Sequence, residues 1–104
     1  LEKPRDFVPR FVADLGGSAQ TETVARQLAA EIEANNLLAN GRKPSGIAAA
    51  AVYMAFRANP EVDKRAQKEV GEIADISPPT IRSNVQVIEN SEIEPSIEGV
   101  TISA

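Results

Sequence analysis

The chain has 104 residues, 11 Lys and Arg against 15 Asp and Glu, a net charge of −4, and neither cysteine nor histidine. Those absences exclude disulfides, thiolate metal sites, imidazole bases and any nucleophile that needs a Cys-His or Ser-His pair. At 42% hydrophobic and only 4% aromatic, one domain with a core of alanine, valine and isoleucine is expected.

No apolar run reaches the roughly 18 residues of a membrane helix, and no membrane partner is expected. No signal peptide is recognisable, and the lack of cysteine fits a cytoplasmic protein, or a nuclear one in a eukaryote. The charge is unevenly spread. Residues 1–88 hold all 11 basic and 11 acidic residues, whereas 89–104 hold Glu89, Glu92, Glu94 and Glu98 alone.

Residues 1–5 read as a lead-in. Asp6 suits an N-cap, with Pro9 tolerated in the first turn. Phe7, Val8, Phe11, Val12 and Leu15 form a wide apolar face, and Gly16-Gly17 stops this helix. A second helix follows Ser18, with Val24, Ala25, Leu28, Ala29 and Ile32 as its buried stripe. It ends near Asn35-Asn36.

Pro44 opens a third helix. From Ile47 to Phe56 it reads IAAAAVYMAF, apolar on every side, as expected of a helix surrounded by others. Its alanines keep it slim, so that neighbours can come close. Arg42 and Lys43 precede it, either to help hold a phosphate at its N-terminus or as plain loop charge. Residues 61–65 form a charged loop.

Gln67 to Ile88 reads as two short helices around a tight turn. Val70, Ile73 and Ala74 mark the inner face of the first; Ile81, Val85 and Ile88 mark that of the second. Gly71 is small where the helices meet, and Asp75 must take a positive φ. Ile76 is expected to pin the turn to the core. Ser77 is expected to cap the second helix with its hydroxyl, and Pro78 falls at its first position. This is helix-turn-helix grammar, leaving Pro79, Arg82, Ser83 and Gln86 outward.

Arg82 could give paired hydrogen bonds to guanine, or be a solvated arginine. Lys64, Arg65 and Lys68 could hold phosphates, or be ordinary surface charge. Residues 89–104 read as an acidic tail, extended or disordered. A strand near Val100-Thr101-Ile102 would have no partner. No nucleophile is paired with a base and no phosphate-binding glycine loop occurs, so no enzyme is expected.

The segments PRDFVPRFVADL, GRKPSGIAAAAVYMA and KRAQKEVGEIADISPPTIRSN together resemble the second cyclin-like repeat of the transcription initiation factor B family, which includes archaeal transcription factor B and eukaryotic TFIIB. The resemblance covers residues 4–88. It implies an all-α, five-helix cyclin-like box over residues 6–88, with a central alanine-rich third helix and a C-terminal helix-turn-helix at 67–88.

The resemblance also implies a role in transcription initiation. Such a domain binds promoter DNA together with TATA-binding protein and reads the B recognition element. RNA polymerase is then recruited through the full-length factor. No cofactor is expected in this stretch, because the family's zinc ribbon lies in a separate N-terminal part; a monomer is expected. Carried over by position, Pro79 and Arg82 would read bases. Ser77, Pro78, Thr80 and Ser83 would lie close to DNA, and Lys64, Arg65, Gln67 and Lys68 near phosphates. The chain departs from the family at Ala66 (usually threonine), Asp75 (usually glycine), and Val85 and Gln86 (usually a tyrosine and a basic residue). The departures at Asp75, Val85 and Gln86 favour the alternative, a cyclin-fold protein-interaction module without DNA readout.

Overall fold

The computed structural model describes residues 3–35, 41–58, 65–91, 96–97 and 100–101. Five helices occur in the order α1 (Pro4–Leu15), α2 (Ala19–Ala34), α3 (Pro44–Ala58), α4 (Gln67–Ala74) and α5 (Pro78–Asn90). They form the expected all-α, cyclin-like box.

Helix α3 touches each of the other four helices. From Ile47 to Phe56 every residue is buried except Tyr53, which is half-buried against the core. Ala48 to Ala51 have no accessible surface. A side chain that ends at Cβ holds neighbouring backbones close, which is how a core with so few aromatic rings can be filled. Phe11 and Phe56 are the largest fully buried side chains among the described residues. None of the described helices is long and apolar enough to cross a membrane.

The first helix begins earlier than its sequence suggests. Pro4 occupies the first position and Asp6 the third, where its Oδ2 accepts the Lys3 N–H at 2.9 Å. Asp6 therefore supports the cap from inside the helix instead of being the cap. Pro9 lies deeper than the first turn, on the exposed side, where water can serve the carbonyl that its missing N–H leaves. The helix closes on Gly16, whose φ of 70° is left-handed, and the Gly17 N–H returns to the Val12 carbonyl at 2.9 Å. Ser18 then caps α2, its hydroxyl accepting the Thr21 N–H at 3.1 Å.

The C-terminal stretch differs from expectation. Strand β1 (Ser96–Ile97) pairs antiparallel with β2 (Val100–Thr101), in the register Ser96↔Thr101 and Ile97↔Val100. The strand expected to lack a partner thus has one. The reason is local: the two strands are close in sequence, so pairing them closes only a short loop at little entropic cost. Strand β1 lies beside α2. Glu92, Glu94 and Glu98 lie outside the described residues. Glu89 is still in α5 and pairs with Arg57 at 3.1 Å.

Candidate nucleic-acid interface

Helices α4 and α5 meet at a corner of three residues, Asp75-Ile76-Ser77. Asp75 takes φ 58° and ψ 44°, the left-handed conformation, and is the one such non-glycine among the described residues. The Ile76 N–H then reaches the Gly71 carbonyl at 3.0 Å, while its half-buried side chain packs against the core. A Cβ on Gly71 would lie 2.5 Å from the Ile76 carbonyl oxygen and 3.5 Å from Ile81 Cδ1. Glycine is therefore required where the turn folds back over α4.

Two local readings need correction. Ser77 stands at the N-cap of α5 but makes no capping bond; its hydroxyl pairs with that of Thr80 at 2.9 Å. Ile73 is 38% exposed, because a helix of two turns points only Val70, Gly71 and Ala74 inward. At Ala66 half of a capping box survives, with Glu69 Oε1 accepting the Ala66 N–H at 3.3 Å.

The inner face of α5 consists of Ile81, Asn84, Val85 and Ile88. Pro79, Thr80, Arg82, Ser83 and Gln86 are exposed, and Pro78 is half-buried. Arg82 Nη1 donates to Gln67 Oε1 at 3.3 Å, so two of the expected contact residues meet across the helix pair. Lys68 is exposed beside Gln67 in the first turn of α4. Arg65 turns the other way. Its Nε donates to the Leu15 carbonyl at 3.0 Å, its guanidinium lies 5.6 Å from the Phe56 ring centroid, and Glu69 stands 3.9 Å away. It thereby serves the C-terminus of α1, where a cation is favoured. Lys64 lies outside the described residues.

Asn84 is a feature the sequence reading missed. It is 1% exposed, and a buried side-chain amide needs partners. Arg42 supplies one, with Nη1 donating to Asn84 Oδ1 at 2.6 Å and to Ser83 Oγ at 3.3 Å. The signal was a polar residue at i+3 from Ile81, inside the apolar stripe of α5. Beside this pair lies a cleft of about 350 Å³ with Arg42, Lys43, Asp75, Ser77 and Thr80 among its lining. Two cations and two hydroxyls thus face one exposed carboxylate.

The family model for the transcription factor TFIIB repeat matches residues 1–91. The chain belongs to the TFIIB repeat family. It is 41% identical over 83 residues to transcription initiation factor IIB of Xenopus laevis, across 80% of this chain and 25% of that protein. Transcription initiation factor IIB 2 of Haloferax volcanii is 44% identical over 80 residues, across 77% of this chain and 23% of its own length. The Archaeoglobus fulgidus factor is 40% identical over 80 residues. The chain spans about a quarter of the length of these curated relatives. Of the positions expected from the sequence to depart from the family pattern, Val85 is buried on α5, whereas Gln86 on α5, Asp75 at the corner and Ala66 before α4 are exposed.

Proposed function

We propose that this TFIIB repeat, residues 6–88, is the DNA-reading part of a general transcription initiation factor. It acts as the second of two cyclin-like repeats, followed by an acidic tail. Helix α5 enters the major groove of the B recognition element beside the TATA box, within a complex that already holds TATA-binding protein. Polymerase recruitment and the zinc ribbon belong to the rest of the factor. The observation that carries this reading is the outward face of α5, where Pro79, Arg82 and Ser83 stand exposed on a corner clamped to the core by Gly71 and Ile76. Arginine at such a place can satisfy both O6 and N7 of guanine; its bond to Gln67 holds it across the surface in the meantime.

Residues 1–88 are electrically neutral, so phosphate attraction alone is weak, and selection occurs inside the assembly. Binding to unrelated duplex at about 0.15 M salt should stay weaker than about micromolar. The direct test is a titration of a B-element–TATA duplex with TATA-binding protein and either the unaltered protein or Arg82→Ala. A loss of about 1–3 kcal/mol with relaxed base preference at one position is expected.

A second reading, a protein-interaction module, is favoured by Asp75 at the exposed tip and by the internal bonds of Arg65 and Arg42. An unchanged complex with Arg82→Ala would select it.

A further inference from the structure

We infer that Arg42 is a positioning residue for α5, and that it orients the Ser83 hydroxyl to donate a hydrogen bond to a DNA phosphate. The inference rests on α5 being the DNA-contacting helix. Asn84 occupies a core position of that helix at 1% exposure, and Arg42 Nη1 meets its Oδ1 at 2.6 Å. A charge-assisted bond to a buried acceptor strongly favours one geometry, so the N-terminal entrance of α3 fixes where the middle of α5 sits. Space around the amide is tight: a Cβ on Gly46 would lie 3.1 Å from Asn84 Nδ2.

The same arginine nitrogen carries a second hydrogen, and Ser83 Oγ lies 3.3 Å from it. Arginine nitrogens donate and never accept. Ser83 Oγ is therefore the acceptor in that bond, and its own hydrogen must point elsewhere. Ser83 is exposed and makes no other side-chain hydrogen bond among the described residues. It stands next to Arg82 on the outward side of α5, so its hydrogen is presented to whatever α5 docks against. Among the described residues no carboxylate pairs with Arg42, and its buried Nε has no partner there. With Lys43 beside it and Asp75 as the one carboxylate among the cleft's lining residues, the guanidinium leaves a net positive charge behind the donor, which favours an anionic acceptor. A phosphate oxygen combines that charge with acceptor-only chemistry, and phosphate contacts of this kind set register.

The test is a double-mutant cycle with Arg42→Met and Ser83→Ala, read by affinity for the B-element–TATA duplex in the presence of TATA-binding protein. Thermal unfolding confirms that each variant is folded. If Arg42→Met does not fold, Arg42→Gln, which keeps an amide for Asn84, takes its place. Ser83→Ala should weaken binding about three- to tenfold in the presence of Arg42 and scarcely at all without it. The loss should be equal for matched and base-substituted elements, because a phosphate carries no sequence. A purely structural role for Arg42 would leave the Ser83→Ala loss the same in both backgrounds, and that outcome overturns the proposal. A loss confined to the matched element overturns the phosphate assignment. If Arg82→Ala and Ser83→Ala are both silent in this titration, the DNA reading itself falls, and this inference with it.

Discussion

The chain turns two corners with one grammar. Between α1 and α2 stand Gly16, Gly17 and Ser18; between α4 and α5 stand Asp75, Ile76 and Ser77. Each corner opens with a left-handed residue, at φ 70° and 58°, and each ends with a serine at the N-cap, followed three residues on by a threonine. The difference lies in what each corner faces. Thr21 is buried at 1% exposure and Ser18 caps its amide at 3.1 Å. Thr80 is exposed, and Ser77 bonds only to its hydroxyl. The first corner is built into the core. The second is pinned from below and leaves its polar groups outward, which is what the proposed recognition role requires.

Substituting the close-packed glycine at each corner should give the largest effects. Gly71→Ala places a methyl 2.5 Å from the Ile76 carbonyl. Backbone cannot swing aside, so the α4–α5 corner must open, at a cost of about 3 kcal/mol. Alanine's better helix propensity offsets at most about 1 kcal/mol of that. Gly17→Ala meets Phe56 Cζ at 2.7 Å and Val12 Cγ1 at 2.8 Å. Both are side chains, but both are buried, so about 2 kcal/mol is expected. Denaturant midpoints would check the order. A larger loss at Gly17 would show that the corner between α4 and α5 gives more readily than its geometry indicates.

The two serines come next. Ser18→Ala removes an amide cap and should lower stability by about 1 kcal/mol. Ser77→Ala removes no amide bond and should cost less than about 0.5 kcal/mol. Equal losses in thermal unfolding would mean that Ser77 caps α5 in solution and that the two corners differ less than their hydrogen bonds suggest.

Most of this architecture was legible because it rests on spacing. The burial of α3 follows from an unbroken apolar run, and Gly71, Asp75 and Ile76 follow from what a tight turn permits sterically. What escaped notice depends on contacts distant in sequence. Arg42 and Asn84 are 42 positions apart, and no local pattern joins them. Arg65 read as an available cation because nothing nearby in sequence reveals the Leu15 carbonyl 50 positions away. The first residue of α1 and the bond made by Ser77 were misjudged for another reason. Several polar groups near a helix start can satisfy the same amides, and packing chooses among them. The hairpin of β1 and β2 was passed over because its strands are two residues long, too short for any periodicity.

The one predicted gain in stability asks whether the second corner can be made like the first. Asp75 holds a left-handed backbone that costs an ordinary residue about 1–2 kcal/mol and aspartate somewhat less. Asp75→Gly removes that strain, while glycine's greater freedom in the unfolded chain takes part of the gain back. A net stabilisation of about 0.5 kcal/mol is expected from chemical denaturation. The same substitution removes an exposed negative charge from the corner that precedes Pro79 and Arg82. If α5 docks on DNA, affinity for the promoter complex should rise a few-fold at low salt, and the gain should fade as salt increases, because a surface charge is screened beyond about 10 Å at 0.1 M. A protein-interaction module with a basic partner would show the opposite, a loss on removing the carboxylate. Stability and affinity therefore answer separate questions here: the first tests the backbone at Asp75, the second tests what the corner faces.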